Sequence, residues 1–240
     1  MKNIGLQMYT VRELLSENVE ATLLKVKSIG YDCIQLAGGL ELMEETAKCA
    51  KKLGIKVIGI FGSCDKDSGK LFEICKICGA TDIAIGTSAV TYTDAMAFVE
   101  RANKFAEVAA KEGLTVSYHN HSHEFMRAEN GQTIMEIYKE NLKGIDFMLD
   151  TYWIQHGGGD VRHVIEEFKG RVKILHLKDM ERSHEGPTFA PIGDGNLYFE
   201  GILKTAKECG IEQFVVEQDI CKEDPFVCIE KSINHLKGMA

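Results

Sequence analysis

Ionisable side chains end four successive apolar runs in the second half of the sequence. The last residues of these runs are His119 and His121, then Asp150, then His176 and Lys178, and finally Glu217 and Asp219. A carboxylate is rarely buried without a partner, so these run ends need a common explanation if they meet in the fold. A shared divalent cation would neutralise the carboxylates and accept the lone pair of an imidazole. A network of ion pairs among the same side chains is the alternative.

A repeated unit predicts that these run ends do meet. At seven places an amphipathic segment ends in glycine and a short β-rich run begins within a few residues. The seven glycines are Gly30, Gly54, Gly79, Gly113, Gly144, Gly170 and Gly210. Glycine just past a helix end adopts the left-handed conformation without a Cβ penalty, so it is a common helix stop. An N-terminal run at residues 4–9 and a final amphipathic stretch at residues 225–236 complete eight strands and eight helices.

Eight alternating units predict an α/β fold, a single (β/α)8 TIM barrel that spans residues 1–240. Strict alternation implies a parallel sheet, and one βα unit takes about 30 residues. The length of 240 residues suits such a barrel, and no dinucleotide-binding glycine motif follows the first strand. Catalytic residues of these barrels come from the C-terminal ends of the strands, so the polar run ends are expected at one rim.

Strand alternation selects the side chains that face the barrel interior. His119 and His121 share one face of the fifth run, His176 and Lys178 share one face of the seventh, and Glu217 aligns with Asp219 in the eighth. Carboxylates with an imidazole form an oxygen-rich set, which suits Mn²⁺, Mg²⁺, Co²⁺ or Fe²⁺ better than a structural zinc site.

Composition counts against two classes of partner. The formal net charge of −8 repels phosphate backbones, which argues against binding of nucleic acid. No apolar run approaches the ~20 residues of a membrane span, and the N-terminus lacks the apolar core of a signal peptide. We therefore expect a cytoplasmic protein with reduced cysteines. The C-x-x-C pair Cys75 and Cys78 lies at helical spacing and is expected to be buried in a helix face, not to bind zinc.

Six segments resemble the sugar phosphate isomerase/epimerase family of the xylose isomerase-like TIM barrels, which includes inosose dehydratases. They run nearly from end to end, as GLQMYTVRELL, VSYHNHSHEF, LDTYWIQHGGGD, ILHLKDM, IGDGNLYFEGIL and VVEQD. The resemblance implies a divalent metal bound by Glu, Asp, His and a second Glu from strands five to eight. Asp150, His176 and Glu217 match the last three ligands. His119 stands where many relatives carry the first Glu, so Glu124 is the expected carboxylate, with His119 or His121 as the second choice.

The resemblance also implies chemistry at a carbon next to a carbonyl, through a metal-stabilised enediolate. Glu217 is expected to act as base as well as ligand, and His119 and His121 to carry protons. Lys178 is expected to stabilise an oxyanion, or else to form only an ion pair at the rim. Substrate contacts are expected from Tyr9, Gln35, Trp153 and Asp219.

Two of these expected substrate contacts also have an alternative interpretation. Gln35 stands where many relatives carry Glu, so a polar role borrowed from them is weakened. Trp153 is either an aromatic wall for a sugar ring or ordinary packing under a loop. The glycines of Gly193-Asp194-Gly195 follow the seventh strand, where barrels often bind phosphate, but they do not by themselves predict a phosphorylated substrate.

The first expectation for function is an isomerase or epimerase of a ketose or sugar-like substrate with one divalent cation, Mn²⁺ ahead of Mg²⁺, Co²⁺, Fe²⁺ or Zn²⁺. A keto-sugar or inosose dehydratase, or another C–O lyase, would use the same enolate, and the segment at residues 118–121 is similar to that branch. A non-catalytic sugar-binding barrel or partner subunit is the alternative of another class, because short loops after strands two to four leave an open rim. The same open rim is compatible with a homodimer. A nuclease related to endonuclease IV conflicts with the acidic charge.

Overall fold

The computed structural model describes residues 3–64 and 68–239. Within them lie the strands β1 Ile4–Gln7, β2 Cys33–Leu36, β3 Val57–Phe61, β4 Asp82–Ile85, β5 Thr115–His119, β6 Ile145–Asp150, β7 Val172–Leu177, β8 Asp179–Ser183, β9 Gly186–Ala190 and β10 Gln213–Val216. The α-helices are α1 Arg12–Glu17, α2 Val19–Ile29, α3 Leu40–Lys52, α4 Ser68–Cys78, α5 Tyr92–Lys111, α6 Ile134–Asn141, α7 Thr151–His156, α8 Val161–Glu167, α9 Phe199–Glu208 and α10 Pro225–Gly238. Short 3-10 helices cover Met8–Val11 and His123–Phe125.

Eight of the strands close into one parallel barrel, in the order β1-β10-β7-β6-β5-β4-β3-β2. Every neighbouring pair in the barrel is parallel, from β1 with β2 round to β10 with β1. The predicted (β/α)8 barrel is therefore confirmed. The predicted domain bounds, 1–240, include Met1, Lys2, the segment 65–67 and Ala240, which lie outside the described residues, and those bounds stay a prediction.

All seven glycines that were predicted to stop helices have positive φ angles, from 63° at Gly54 to 103° at Gly30. A residue with a Cβ would be strained in this conformation, so the glycines end the helices at the predicted places. The strands that follow begin within a few residues of each glycine, as predicted.

The structure adds three elements that the repeat did not predict. Strands β8 and β9 form an antiparallel hairpin between β7 and α9. Helix α1 follows β1, and helix α7 follows β6 directly. All three extend from the C-terminal ends of strands, so they enlarge the rim where the polar run ends lie. The N-terminal strand also ends at Gln7, because the 3-10 helix Met8–Val11 begins there.

Two apolar layers support the barrel. The larger core fills the space between the strands and the surrounding helices. A small cluster of buried side chains fills the barrel itself, formed by Ala84, Met148, Ile174 and Val215 with Ile58 and Phe61 against them. This small cluster lies next to the polar run ends. Ile174 precedes His176 by two positions, and Val215 precedes Glu217 by two positions.

The two cysteines of the C-x-x-C pair lie in a helix, as predicted. Cys75 is buried and Cys78 is half-buried in α4, where Cys78 Sγ lies 3.2 Å from the Ile74 carbonyl oxygen. No disulfide joins any cysteines of residues 3–64 and 68–239. None of the helices in this part of the chain has the length and apolar character needed to cross a bilayer.

Candidate metal centre and active site

Four buried side chains meet at the C-terminal end of the barrel. His119, Asp150, His176 and Glu217 each offer a ligand atom, and all four atoms lie within 4.8 Å of one another. The strand register explains this, because Asp150 pairs with His176 across β6 and β7, and the Glu217 N–H donates to the Leu177 carbonyl. The structure therefore brings together three of the four predicted metal ligands, and adds His119 to them.

Lys178 joins this group from the strand end of β7. Its Nζ lies 3.2 Å from Asp150 Oδ2, 2.8 Å from Glu217 Oε2 and 2.9 Å from Asp219 Oδ1. Burial by itself would lower the pKa of Lys178, but Asp150, Glu217 and Asp219 together raise it well above its ordinary value. The side chain is therefore a fixed cation at neutral pH, and it is not a proton acceptor.

Burial and the charge of Lys178 shift the pKa values of the three carboxylates to different degrees. Burial would raise the pKa of Glu217, but Lys178 and His176 outweigh it and hold that pKa at about 2. For Asp150 the effect of burial is larger than the opposing effects of Lys178 and His176, so its pKa rises to about 6. Burial, followed by the charge of Glu217, also raises the pKa of Asp219. Glu217 is therefore ionised at neutral pH, whereas Asp150 and Asp219 hold their protons more tightly than exposed carboxyl groups do.

The donor set fits a divalent cation. When Asp150, Glu217 and Asp219 are all ionised, their three negative charges exceed the one positive charge of Lys178 by two in a buried site. Such an excess is costly without a counter-ion. In addition, Asp150 Oδ2 has an ion pair with Lys178 but accepts no hydrogen bond of good geometry from any described residue, so it can still offer a lone pair to a cation.

Glu124 lies apart from the other predicted ligands. Its Oε1 accepts a hydrogen bond from the Tyr118 hydroxyl at 2.5 Å, and its Oε2 accepts one from the His121 N–H at 2.8 Å. Tyr118 points away from the barrel interior and packs on Phe98 and Tyr138 of the helical layer. The 3-10 helix after β5 therefore turns Glu124 behind the strand, where it groups with His121 and His123. Burial raises the pKa of Glu124 to about 7.

A pocket of about 300 Å³ opens above the buried group. Six residues predicted for catalysis or substrate binding line it, namely Tyr9, His119, His121, Lys178, Glu217 and Asp219. The sequence did not single out the other lining residues, Gln7, Ala37, Phe61 and Gly86. Ala37 and Gly86 directly follow β2 and β4, and Phe61 ends β3. Position at a strand end was the available signal for them, but their side chains carry no obvious chemistry.

The two histidines of the pocket have lower pKa values than an exposed imidazole. Burial, followed by the neighbouring His176, lowers the pKa of His119 well below its ordinary value. Burial, followed by Lys178, lowers the pKa of His121 to about 4. Both rings are therefore neutral at neutral pH, so each offers a lone pair to a proton or to a cation.

Two residues predicted to touch the substrate do not line the pocket. Gln35 is fully buried below it, and its Oε1 lies 2.8 Å from His176 Nε2. Trp153 packs against Tyr152 and against Phe189 of the hairpin, with Lys178 Nζ 5.5 Å from its ring centroid. The structure thus places Trp153 beside the Lys178 cation, and it places Gln35 behind a predicted metal ligand.

Backbone N–H groups of the loop after the hairpin bind the carboxylate of Asp179. Oδ2 of Asp179 accepts hydrogen bonds from the Gly193 and Gly195 N–H groups, and Oδ1 accepts from Leu197 and Met180. A Cβ on Gly195 would lie 2.3 Å from Asp179 Oδ1, so only glycine allows this approach. The Gly193 and Gly195 donors are therefore occupied by the protein's own side chain, and the Asp194 N–H donates to the Pro191 carbonyl.

Comparisons with known proteins agree with this architecture. Among curated proteins, the inosose dehydratase of Clostridium perfringens is 25% identical over 158 residues, which are 58% of this chain and 52% of that protein. The inosose dehydratase of Lactiplantibacillus plantarum is 27% identical over 153 residues, with 56% and 51% covered. The chain spans about half the length of these curated relatives.

A solved structure is similar over nearly the whole chain. A sugar phosphate isomerase/epimerase from Parabacteroides distasonis superposes with a TM-score of 0.83 at 24% identity, covering 98% of this chain and 93% of that one. At this identity the likeness shows the fold. The model of the xylose isomerase-like TIM barrel family matches residues 23–237. This match covers most of the chain, and the protein therefore belongs to the xylose isomerase-like TIM barrel family.

Proposed function

We propose that this protein is a divalent-metal-dependent isomerase or epimerase of an unphosphorylated ketose or related keto-sugar. The observation that carries the proposal is the buried group of His119, Asp150, His176 and Glu217 at the base of a sugar-sized pocket. When Asp150, Glu217 and Asp219 are ionised around Lys178, their excess of two negative charges equals the charge of one divalent cation. Carboxylates and imidazoles together favour Mn²⁺, Mg²⁺, Co²⁺ or Fe²⁺, and Mn²⁺ is our first choice.

The proposed ligands are His119, Asp150, His176 and Glu217. This set replaces Glu124 with His119, because both oxygens of Glu124 accept hydrogen bonds behind β5. His119 Nε2 lies 3.9 Å from Asp150 Oδ2, which leaves room for an ion between them. A cation held there would act as a Lewis acid on a substrate carbonyl and acidify the adjacent C–H.

The remaining pocket residues then have separate roles. Lys178 stays charged, so it would stabilise negative charge on a substrate oxygen. His121 is neutral and lines the pocket, so it would accept or return a proton, together with Glu217 as the second candidate base. Asp219 and Tyr9 would bind substrate hydroxyls at the pocket wall. Trp153 would support Lys178 from behind, without contacting the sugar.

A substrate without phosphate fits the charge of the pocket. Lys178 is the one lysine or arginine among the described residues that line it, and three carboxylates already surround its Nζ. A phosphate would therefore meet an acidic wall with no unoccupied cation. The glycine-containing loop that could bind phosphate is filled by Asp179.

A dehydratase is the second candidate, because the two curated relatives described above are inosose dehydratases. Removal of the proton next to a carbonyl is common to both reactions, and only the fate of the resulting anion differs. In a dehydratase a β-hydroxyl leaves with the proton of a general acid, whereas an isomerase or epimerase returns a proton to carbon.

Proton exchange in D₂O separates these candidates. The purified protein would first be analysed for bound metals, then loaded with Mn²⁺ and incubated with a panel of ketoses and keto-inositols. Deuterium in a recovered or isomerised sugar supports the proposal, and loss of water supports the dehydratase. Asp150→Asn is the matched control, since it removes one ligand charge while keeping the cap of α7. A protein that binds no divalent metal and exchanges no proton would instead be a non-catalytic sugar-binding barrel. Cytoplasmic location and a homodimer stay predictions.

A further inference from the structure

We propose that Gln7 and Gln35 form an amide relay that holds His176 in one ring orientation, with Nε2 donating its hydrogen to Gln35 and Nδ1 left as the nitrogen that would bind the cation. The inference rests on the proposed metal site. It concerns two positioning residues whose side chains would touch neither the cation nor the reacting carbon.

The orientation of the Gln7 amide is set by the backbone. Gln7 precedes the 3-10 helix Met8–Val11, and its Oε1 accepts the Tyr9 N–H at 3.3 Å. A backbone N–H can only donate, so the oxygen of Gln7 must be the atom that faces it. The Gln7 NH₂ group is therefore turned towards Gln35.

The Gln35 amide can take only one orientation against this donor. Its Oε1 lies 3.1 Å from Gln7 Nε2, and its Nε2 lies 3.5 Å from Met148 Sδ, a weak acceptor. A flipped Gln35 would face the Gln7 NH₂ with its own NH₂ and leave two donors in contact. Gln7, Gln35 and Met148 are all fully buried, so water cannot relieve such a clash.

The same oxygen of Gln35 then decides the state of His176. His176 Nε2 lies 2.8 Å from Gln35 Oε1, which has no hydrogen to donate, so Nε2 must carry the proton. Nδ1 faces the opposite side, 3.0 Å from Glu217 Oε2 and 3.9 Å from Asp150 Oδ2. Nδ1 is thus the nitrogen that faces the carboxylates: it lies within hydrogen-bond distance of Glu217 here, and it is the ring atom that would offer a lone pair to a bound cation. A ligating histidine commonly donates its second N–H to an acceptor, which fixes both tautomer and ring orientation.

His119 lacks such support. Its Nδ1 is buried and has no hydrogen-bond partner among the described residues. Of the two imidazoles in the proposed metal set, His176 is therefore the one whose ring orientation is held in advance. We expect its position to dominate the affinity of the site, because an oriented ligand loses little freedom when the ion binds.

Four variants test the relay. Gln35→Leu removes the acceptor and should weaken Mn²⁺ binding in calorimetry about 10- to 100-fold, the usual effect of losing such a partner. Gln7→Leu removes the hydrogen bond that orients the Gln35 amide, and it should weaken Mn²⁺ binding less than Gln35→Leu does. Gln35→Glu keeps an acceptor oxygen and should bind Mn²⁺ at least as tightly as the native protein. Gln213→Leu is the matched control, since this amide lies at the other end of the barrel and bonds to the Asn3 carbonyl.

The hydrogen on Nε2 can also be detected directly in the metal-free protein. Long-range ¹H–¹⁵N spectra of ¹⁵N-labelled protein should show a protonated Nε2 for His176, and the signal should change in Gln35→Leu. A bare Nε2 in the native protein would overturn the relay, as would native Mn²⁺ affinity in Gln35→Leu. If the native protein binds no Mn²⁺, the proposed function fails, while the spectra still decide the relay. If Gln35→Leu does not fold, the native spectrum and the Gln7→Leu affinity decide it.

Discussion

Lys178 Nζ lies 2.8 Å from Glu217 Oε2, although the two residues come from different βα units. They are neighbours because β7 and β10 are adjacent in the closed barrel, with the hairpin β8–β9 excluded from it. The contact pairs a buried cation with a ligand carboxylate of the proposed metal site. Lys178 and the cation would therefore share the same carboxylates, and several properties of the protein should depend on this.

Lys178→Met should destabilise the metal-free protein by about 3–5 kcal/mol, because it leaves three clustered carboxylates without their ammonium partner. Added Mn²⁺ should restore part of the loss by supplying positive charge. Urea unfolding in EDTA and in MnCl₂ measures both effects. Lys173→Met is the control, since the exposed pair of Lys173 with Asp146 should contribute less than ~1 kcal/mol. Equal stability of Lys178→Met and the native protein in EDTA would contradict the charge argument.

The identity of the fourth ligand is testable with two single variants. His119→Ala should raise the Mn²⁺ dissociation constant by about 100-fold or more, on the order of 3 kcal/mol, since a ligand is lost. Glu124→Gln should leave it within about threefold, because the glutamine amide can still bond to Tyr118 and to the His121 N–H. Isothermal calorimetry gives both constants. The reverse ranking would return Glu124 to the ligand set in place of His119.

Asp82 should make stability depend on pH independently of the metal site. Its Oδ1 accepts hydrogen bonds from Thr115 and Ser117, yet burial raises its pKa to about 6 from the ordinary 3.8. The folded state therefore holds the proton more tightly than the unfolded state. The protonated Asp82 side chain makes its full contribution to stability below pH ~4, and this contribution is lost as the pH rises through ~6.

Asp82→Asn lacks this titration, so its free energy of unfolding should increase relative to that of the native protein between pH 4 and 7. A shift of this size corresponds to about 2–3 kcal/mol. Urea unfolding of both proteins at each pH unit measures the difference, and other titrating groups cancel in it. Parallel curves would show that Asp82 has the same pKa folded and unfolded.

Asp179→Ala should loosen the loop that follows the hairpin. Four backbone N–H groups lose their acceptor, and each would be left unsatisfied unless water replaces it. Hydrogen exchange followed by mass spectrometry should show faster exchange at residues 191–197 with little change in β5 and β6. Asp194→Ala changes an exposed carboxylate of the same loop and should leave exchange unaltered. Equal exchange in the two variants would mean that Asp179 does not hold this loop.

Local patterns in the chain were sufficient for the fold. The helix-stopping glycines and the β-rich runs after them depend on backbone conformation at single positions, and all seven glycines have the expected positive φ. The period of two along a strand also selected the correct interior faces, as with His176 and Lys178. The hairpin β8–β9 escaped prediction because the repeat required no further strand between β7 and α9.

The site was predictable only in part. Strand position placed Asp150, His176 and Glu217 at one rim, since the ends of parallel strands must meet there. It could not place Glu124, because the 3-10 helix His123–Phe125 turns the chain back after β5. Nor could it give Gln35 a role, since the contact with His176 crosses the barrel interior between strands that are distant in the closed sheet.

The sequence by itself thus determined the barrel, its strand ends and most of the polar residues at the rim, because these follow from local backbone preferences and from the alternation of side chains. Only the tertiary structure decided which polar atoms lie within bonding distance. Closure of the barrel brings His119, Asp150, His176 and Glu217 together, and it places Gln35 behind His176. Such distances depend on strand register and on the direction of each turn, which residue spacing does not specify.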